Sequence, residues 1–316
     1  MRAIVFDKTL IYAKDYPTPM PGDGEALIKV VMAGICATDL EIIKGYMGFK
    51  GVLGHEFCGM VVEAADSALT GRRVAGEINI GCGRCKLCAS GARNHCPERS
   101  VLGILNKDGV FADYVTMPVE NLHPLPGSIT DEEAVFIEPL AAAFEIGEQV
   151  ELEGKDVCVL GDGRLGLLCA QAIALSDCNL TVIGRHAEKL AILERRGIRA
   201  KIGASGMGRI FDVVVDCTGS ASGFAEALAL ARPRGTVVLK TTVAERTDMN
   251  LNQLVIDEIT VTGSRCGPFK SAIVALAGRR VDVLPLVSRI FSMEDGIAAL
   301  GHAGKKGVMK VLVRVG

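Results

Sequence analysis

Neither sign of charge dominates this sequence, in which 35 Lys and Arg stand against 37 Asp and Glu. There is thus no basic field to recruit nucleic acid, and none is expected as a partner. No apolar run reaches the ~20 uninterrupted residues of a membrane span. The longest runs, such as Ala221–Ala231, are broken by charge. The opening residues Met1-Arg2-Ala3-Ile4-Val5-Phe6-Asp7 lack the apolar stretch and small-residue cleavage site of a secretory signal, and they read as a first strand. A cytoplasmic protein without membrane association is the expectation. Internal repeats and low-complexity tracts are also missing. With 49% hydrophobic and 23% charged residues the composition is that of a globular protein, not a disordered one. The 316 residues are enough for two domains of roughly 100–200 residues, each burying its own core.

Cysteine, in contrast, is plentiful. Of eleven, four fall in the window 82 to 96, as Cys82-x2-Cys85-x2-Cys88-x7-Cys96. Disulfides suit short secreted chains, so in a long chain expected to be intracellular this clustering points to metal. Gly81, Gly83 and Gly91 make the segment a loop and not a core element. Four thiolates close a tetrahedron around Zn²⁺ with no open position, which is structural chemistry. Cys58, Cys158, Cys169, Cys178, Cys217 and Cys266 fall in strand or helix patterns and read as small core hydrophobes. His95 stands beside Cys96, but four thiolates already complete that site.

Two textures divide the chain. Up to about residue 130, short β-like runs (Ala26–Val31, Cys58–Glu63, Arg73–Ala75, Val110–Met117) are separated by Gly, Pro and Asp, as in a small, mostly antiparallel β domain. From about 138, apolar strands alternate with helices. Strands are expected at Asp156–Leu160, Leu180–Ile183, Val213–Asp216, Thr236–Leu239 and Glu258–Thr262, and helices at Leu165–Leu175, Ala187–Arg196 and Gly223–Ala231. Such alternation implies a parallel sheet with right-handed crossovers, a doubly wound α/β domain. The tail from Asp282 returns to strand-like runs, Ser288–Phe291 and Val308–Val313, around a helix at Met293–Leu300, and is read as rejoining the first domain.

The segment Val157-Cys158-Val159-Leu160-Gly161-Asp162-Gly163-Arg164-Leu165-Gly166 is a strand, a G-x-G-x-x-G turn and a helix start. Gly161 allows the tight turn, Gly163 admits a pyrophosphate to the backbone, and Gly166 lets helix and strand pack closely. A dinucleotide diphosphate would then face the free N–H groups at Arg164, Leu165 and beyond. The hexapeptide alone is a weak signal; its βαβ context carries the reading. The acid that ordinarily binds the NAD ribose about 20 residues on is replaced here by Gly184, followed by Arg185 and His186. A carboxylate there would repel a 2′-phosphate, whereas Gly leaves room and Arg185 supplies charge-assisted bonds, with Lys189 one turn later. NADP is therefore favoured over NAD. Thr218, just past the Val213–Asp216 strand, is a further cofactor candidate.

A dispersed constellation remains: Gly34-Ile35-Cys36-Ala37-Thr38-Asp39, then Gly54-His55-Glu56, then Glu138-Pro139-Leu140-Ala141. Taken singly, Cys36 reads as an inert core cysteine and His55 as a satisfied loop histidine. In order, however, G-x-C-x-S/T-D, G-H-E-x-x-G, the four-cysteine lobe, E-P-L-A and G-x-G-x-x-G together resemble the zinc-containing medium-chain alcohol dehydrogenase superfamily over nearly the whole chain. The nearest likeness is to its sorbitol and threonine dehydrogenase branch.

The resemblance implies a GroES-like, mostly antiparallel β catalytic domain over 1–137 and 267–316, with the zinc lobe at about 80–98, and a Rossmann domain over 138–266. It implies two Zn²⁺ per chain, one structural and one catalytic. Cys36 and His55 are the implied catalytic ligands, with Glu56 a ligand or close partner and Glu138 in the place of the remaining ligand. Asp39 is expected to orient His55, Thr38 to set its hydroxyl beside the substrate oxygen, Phe111 to wall the substrate cleft, and Lys310 to lie near the pyrophosphate. The implied reaction moves hydride between a secondary alcohol or polyol, or its ketone, and nicotinamide, with zinc as Lewis acid. Many members carry a His three residues after the Thr38 position; here Glu41 stands there, either as general base or bypassed through Glu56 and water.

The chain is also shorter than typical members, between Gly45 and Gly54 and around Ala200–Phe211, which implies a more open pocket. Homodimers or homotetramers are the implied assemblies. The alternatives are an NAD-linked threonine dehydrogenase-like enzyme of amino alcohols, a non-catalytic dinucleotide-binding member, and a zinc-free quinone reductase. Gly184-Arg185 opposes the first, and the intact ligand sets oppose the other two.

Overall fold

Alternation of apolar and polar residues builds the first unit around one long strand. Along Glu25–Ile35 the side chains of Ala26, Ile28, Val30 and Met32 are buried while their neighbours are less so, the period of two that puts alternate residues on one face. The computed structural model describes residues 1–241 and 251–316. In it this strand pairs antiparallel with Glu56–Ala64, with Tyr114–Pro118 and with the C-terminal strand Lys310–Arg314. The seven-stranded sheet is completed by Arg73–Gly76, Leu122–Pro124 and Val287–Ser292, the last pairing parallel with Lys310–Arg314. A three-stranded sheet (Ala3–Asp7, Thr9–Ala13, Gly51–Val52) and a two-stranded one (Asn79–Ile80, Ser100–Val101) belong to the same unit. The regular strand near 110–117 is shorter than its sequence pattern suggests. Val110, Phe111 and Ala112 are fully buried but lie outside it, with Ala112 making a single bridge to Ala3.

The second unit is a six-stranded, wholly parallel sheet. Its order is Arg199–Ile202, Asn179–Gly184, Asp156–Leu160, Phe211–Asp216, Ala231–Leu239, Thr260–Gly263. In chain order this is 3-2-1-4-5-6, which reverses beside the first strand and opens a crevice at its carboxyl end. Val157, Cys158, Val159 and Leu160 are all buried, as both faces of a helix-covered parallel sheet require. The following helix, Arg164–Ile173, is buried at every residue from Gly166 to Ile173.

The chain divides into two compact units, residues 1–138 with 273–278 and 283–316, and residues 139–272 with 279–282. Among the elements without a counterpart in the sequence reading, two bear on the sites. Glu138-Pro139-Leu140-Ala141 lies in the first turn of a helix, Ile137–Gln149, where Pro is tolerated because its missing N–H has no intrahelical partner. Arg199–Ile202 is an edge strand with mostly exposed side chains, so it lacks an apolar signature. Among the described residues no helix is long and apolar enough to cross a membrane.

Candidate active site

Sheet register delivers the central residues of the first unit. Gly34 pairs with Glu56 on one side and Leu312 on the other, so Cys36, just past the strand end, lies close to His55 and Glu56. Ligand atoms of Cys36, His55 and Glu56 fall within 4.8 Å of one another. Cys36 caps the helix Ala37–Ile43, and its N–H donates to Asp39 Oδ2 at 2.8 Å. The other Asp39 oxygen is 3.3 Å from His55 Nδ1, with both groups buried. That contact is electrostatic and not an aligned hydrogen bond, since neither atom has a hydrogen-bond partner among the described residues. Burial opposes an imidazolium at His55, yet the negative charge of Asp39 and Cys36 outweighs it and holds the ring well above its ordinary pKa. A half-buried thiol with a buried imidazole and carboxylate, converging in surroundings that favour positive charge, fits a divalent metal of the zinc type.

Several expected residues sit differently. The Lys310 ammonium is buried, ion-paired with the Glu56 carboxylate and 5.6 Å from the centre of the Phe136 ring. The reason is register. Lys310 opens its strand one residue before Val311, the partner of Ile35, and Gly34 leaves the passage open; a Cβ at 34 would meet Glu56 Oε2 at 2.7 Å and Lys310 Cε at 3.4 Å. Phe111 does not wall an open cleft. It is fully buried, its ring filling the space above Gly54, where an added Cβ would lie 2.7 Å from it. It therefore braces the turn that presents His55. Glu41 is exposed and paired with Lys44 at 2.8 Å, on the solvent side of the short helix. Thr38 is half-buried, its Oγ1 accepting from Cys36 Sγ at 3.7 Å. Glu138, in the first turn of its helix, is not among the three clustered ligands. The shortened segment before Gly54 is a tight loop in which Gly45, Met47, Gly48, Gly51 and Gly54 all have positive φ.

The second cluster is Cys82, Cys85, Cys88 and Cys96, again with ligand atoms within 4.8 Å. The helix Lys86–Ala89 begins at Cys85, whose Sγ accepts the N–H of Cys88 at 3.4 Å, and Cys96 Sγ accepts that of Cys82 at 3.4 Å. Backbone N–H groups of Arg84 and Cys85 draw the Cys82 thiol down to about 6, while burial pushes Cys88 up to about 11. Gly81 has no room for a side chain, because a Cβ would meet Cys88 Sγ at 2.8 Å. His95 is exposed. Of the other cysteines, Cys58, Cys158, Cys169 and Cys217 are buried, whereas Cys178 and Cys266 are only half-buried and are not full core residues.

In the second unit the glycine turn lies at the crevice. Gly161 has φ +117° and no room for a Cβ, which would meet the Cys217 carbonyl at 2.8 Å; Gly166 packs against the Gly161 carbonyl at 2.1 Å from its would-be Cβ; Gly163 faces open space. Arg164 and Leu165 open the helix that follows. Thr218 is engaged internally, its hydroxyl donating to Asp216 Oδ1 at 2.8 Å. Gly184 does not leave an empty notch: a Cβ there would lie 2.6 Å from Asp162 Oδ2, so the Asp162 side chain already fills the space. That carboxylate accepts the N–H of Arg185 at 2.6 Å and of His186 at 2.7 Å. Sequence reasoning passed over Asp162 because the middle position of the turn carries no signal of its own. It also missed Lys240, a buried ammonium donating to Ser264 Oγ and the Arg265 carbonyl, both at 3.0 Å.

Comparison with known proteins places both units. Residues 22–127 match the alcohol dehydrogenase GroES-like domain family and 165–278 the zinc-binding dehydrogenase family. An L-threonine 3-dehydrogenase of Coxiella burnetii is 30% identical over 306 residues, covering 88% of each chain. The starvation-sensing protein RspB of Escherichia coli K12 is 32% identical, covering 87% of this chain and 86% of its own. Among solved structures, a zinc-binding dehydrogenase of Sinorhizobium meliloti bound to NADP superposes with a TM-score of 0.89 at 29% identity and 99% coverage of both chains. An E. coli RspB alcohol dehydrogenase complexed with NADH superposes with a TM-score of 0.90 at 27% identity, covering 100% of this chain and 99% of its own.

Proposed function

This chain belongs to the zinc-containing medium-chain alcohol dehydrogenase superfamily and is an NAD(P)-dependent oxidoreductase; from that premise we propose that it oxidises a secondary alcohol or polyol, or reduces the matching ketone, with NADP. The observation that carries the reading is the convergence of Cys36, His55 and Glu56 with Asp39 behind the imidazole. Cys36 and His55 would hold the catalytic zinc, with Glu56 or Glu138 completing the shell, and Cys82, Cys85, Cys88 and Cys96 would hold a structural zinc. When bound, the metal supplies Lewis acidity that makes a substrate hydroxyl more acidic, and the nicotinamide exchanges the hydride.

The chain's own groups do the rest. Asp39 sets its charge against His55 Nδ1 and anchors the Cys36 backbone, so both donors are pre-positioned. Lys310 neutralises Glu56 where a bare buried carboxylate would be costly. Thr38, half-buried beside Cys36, takes the hydroxyl proton as it gives up its own, and the onward acceptor is Glu41, exposed beside Lys44, or water by way of Glu56. The turn from Gly161 to Gly166 receives the diphosphate, and Arg185 with Lys189 favours a 2′-phosphate; neither cation has an ion-pair partner among the described residues. The likeness to threonine dehydrogenases supports a second reading, an NAD-linked amino-alcohol dehydrogenase. We place the enzyme in the cytoplasm as a homodimer or homotetramer.

Cys36→Ser tests the site. The variant is expected to keep its fold by circular dichroism, to bind one zinc less per chain and to lose turnover at least a hundredfold. Full metal content with full turnover would remove Cys36 from the catalytic centre.

A further inference from the structure

The acid missing from position 184 is supplied from within the glycine turn. Position 184 is glycine because the Asp162 carboxylate occupies the space a side chain would need. Asp162 is only 7% exposed, and its acceptor capacity is turned inward. Oδ2 takes the N–H groups of Arg185 and His186, and both oxygens lie 3.1 Å from His186 Nδ1. Burial alone would favour the neutral acid, but these donors outweigh it and hold the carboxyl below its ordinary range, so it is ionised. One side chain thus ties the first βα turn to the end of the neighbouring strand Asn179–Gly184.

The cations outside this clamp are left available. Arg185 is exposed and its guanidinium has no partner among the described residues; the same holds for the Lys189 ammonium. The His186 ring, held by Asp162 through Nδ1, is 40% exposed, and its Nε2 lies outside the clamp, where it donates to a further acceptor when the ring is protonated. Two opposite uses of Asp162 follow from chemistry. A carboxylate at this strand end ordinarily accepts the ribose 2′-hydroxyl of NAD and repels a 2′-phosphate. Here Oδ2 already accepts two backbone N–H groups and the carboxylate is all but buried, so its charge is spent on the protein's own donors.

We propose that Asp162 is a positioning residue for cofactor choice: by clamping the Arg185–His186 backbone and the His186 ring, it holds the two side chains as a receptor for a phosphate on the adenosine ribose. The inference rests on the NADP reading above and deepens it. A residue of the diphosphate-binding turn thereby couples the two phosphate subsites of one dinucleotide, so that selectivity resides in the pair Asp162–Gly184 and not in Gly184 alone.

Titration calorimetry with NADP, NAD, 2′-AMP and 5′-AMP, on the wild type, Asp162→Ala, Asp162→Asn, Arg185→Ala and the Asp162→Ala/Arg185→Ala double variant, separates the possibilities. The expected result is tighter NADP than NAD in the wild type, with Asp162→Ala weakening NADP and 2′-AMP about tenfold and NAD and 5′-AMP less than about threefold. Asp162→Asn, which keeps the shape and one acceptor, falls between. In the double variant the Asp162 change adds little, because its effect runs through Arg185 and His186. A wild type that prefers NADP while both Asp162 variants weaken NAD and NADP equally, or NAD more, would overturn the positioning role and leave the NADP reading intact. A wild type that prefers NAD, with Arg185→Ala affecting both dinucleotides alike, would defeat the NADP reading and the inference built on it.

Discussion

At the scale of single residues, this protein places its charges inside as pairs with assigned tasks. Asp39 faces His55, Lys310 faces Glu56, and Asp162 faces the N–H groups of its neighbours. The Lys310–Glu56 pair has side-chain exposures of only 4% and 1%, so screening by solvent is slight. Removing one partner leaves an uncompensated buried charge, a change that costs about 3–5 kcal/mol. Lys310→Met is therefore expected to lower the free energy of unfolding by about that amount in urea titrations, and a loss under about 1 kcal/mol, the scale of an exposed pair, would show that the pair is solvated. The sequence could not reveal this partnership. A lysine opening a C-terminal strand carries no mark of the glutamate 254 positions away, and only the pairing of both their strands with Glu25–Ile35, where Gly34 leaves room for the two side chains, brings them together. Phe111 was equally opaque: the resemblance implies a cleft wall there, and only its packing over Gly54 shows a fully buried ring. Cys36, His55 and Glu56, in contrast, were legible because chemically specific residue types recur in fixed local spacing.

Secondary elements divide along similar lines. The parallel strands announce themselves as continuous apolar runs, and the glycines of the turn can be assigned a steric task each before any coordinates. What escaped was the edge strand Arg199–Ile202, whose exposed side chains satisfy no periodicity, and the helix Ile137–Gln149, where a metal-type motif drew the eye from its helical setting. On the proposed reading, the four-cysteine lobe is the element that would depend most on an ion. Its helix Lys86–Ala89 spans a single turn, its 3-10 turn at Arg93–His95 is shorter still, and little apolar surface is buried between them. Metal binding in such a segment is folding free energy. Cys88→Ala is expected to release one zinc per chain, leave the catalytic ion in place and lower the melting temperature by several degrees. Unchanged metal content would contradict a structural site there.

For the whole molecule, the strand order 3-2-1-4-5-6 puts a dinucleotide turn at a topological switch point, while the other unit gathers a soft-metal ligand set at the ends of antiparallel strands. Both textures were readable from the chain, because a parallel helix-covered sheet and an antiparallel one-sided sheet require different apolar patterns. Substrate identity was not readable, since it depends on side chains lining a volume and not on any local motif. The measurement that bears most directly on the central claim is turnover of the zinc-loaded protein with secondary alcohols, polyols, sugars and amino alcohols, each with NADP and with NAD, followed through reduced nicotinamide. The account predicts turnover of one alcohol class that is greater with NADP and lost when zinc is removed. Turnover that persists undiminished in protein stripped of all zinc would contradict it.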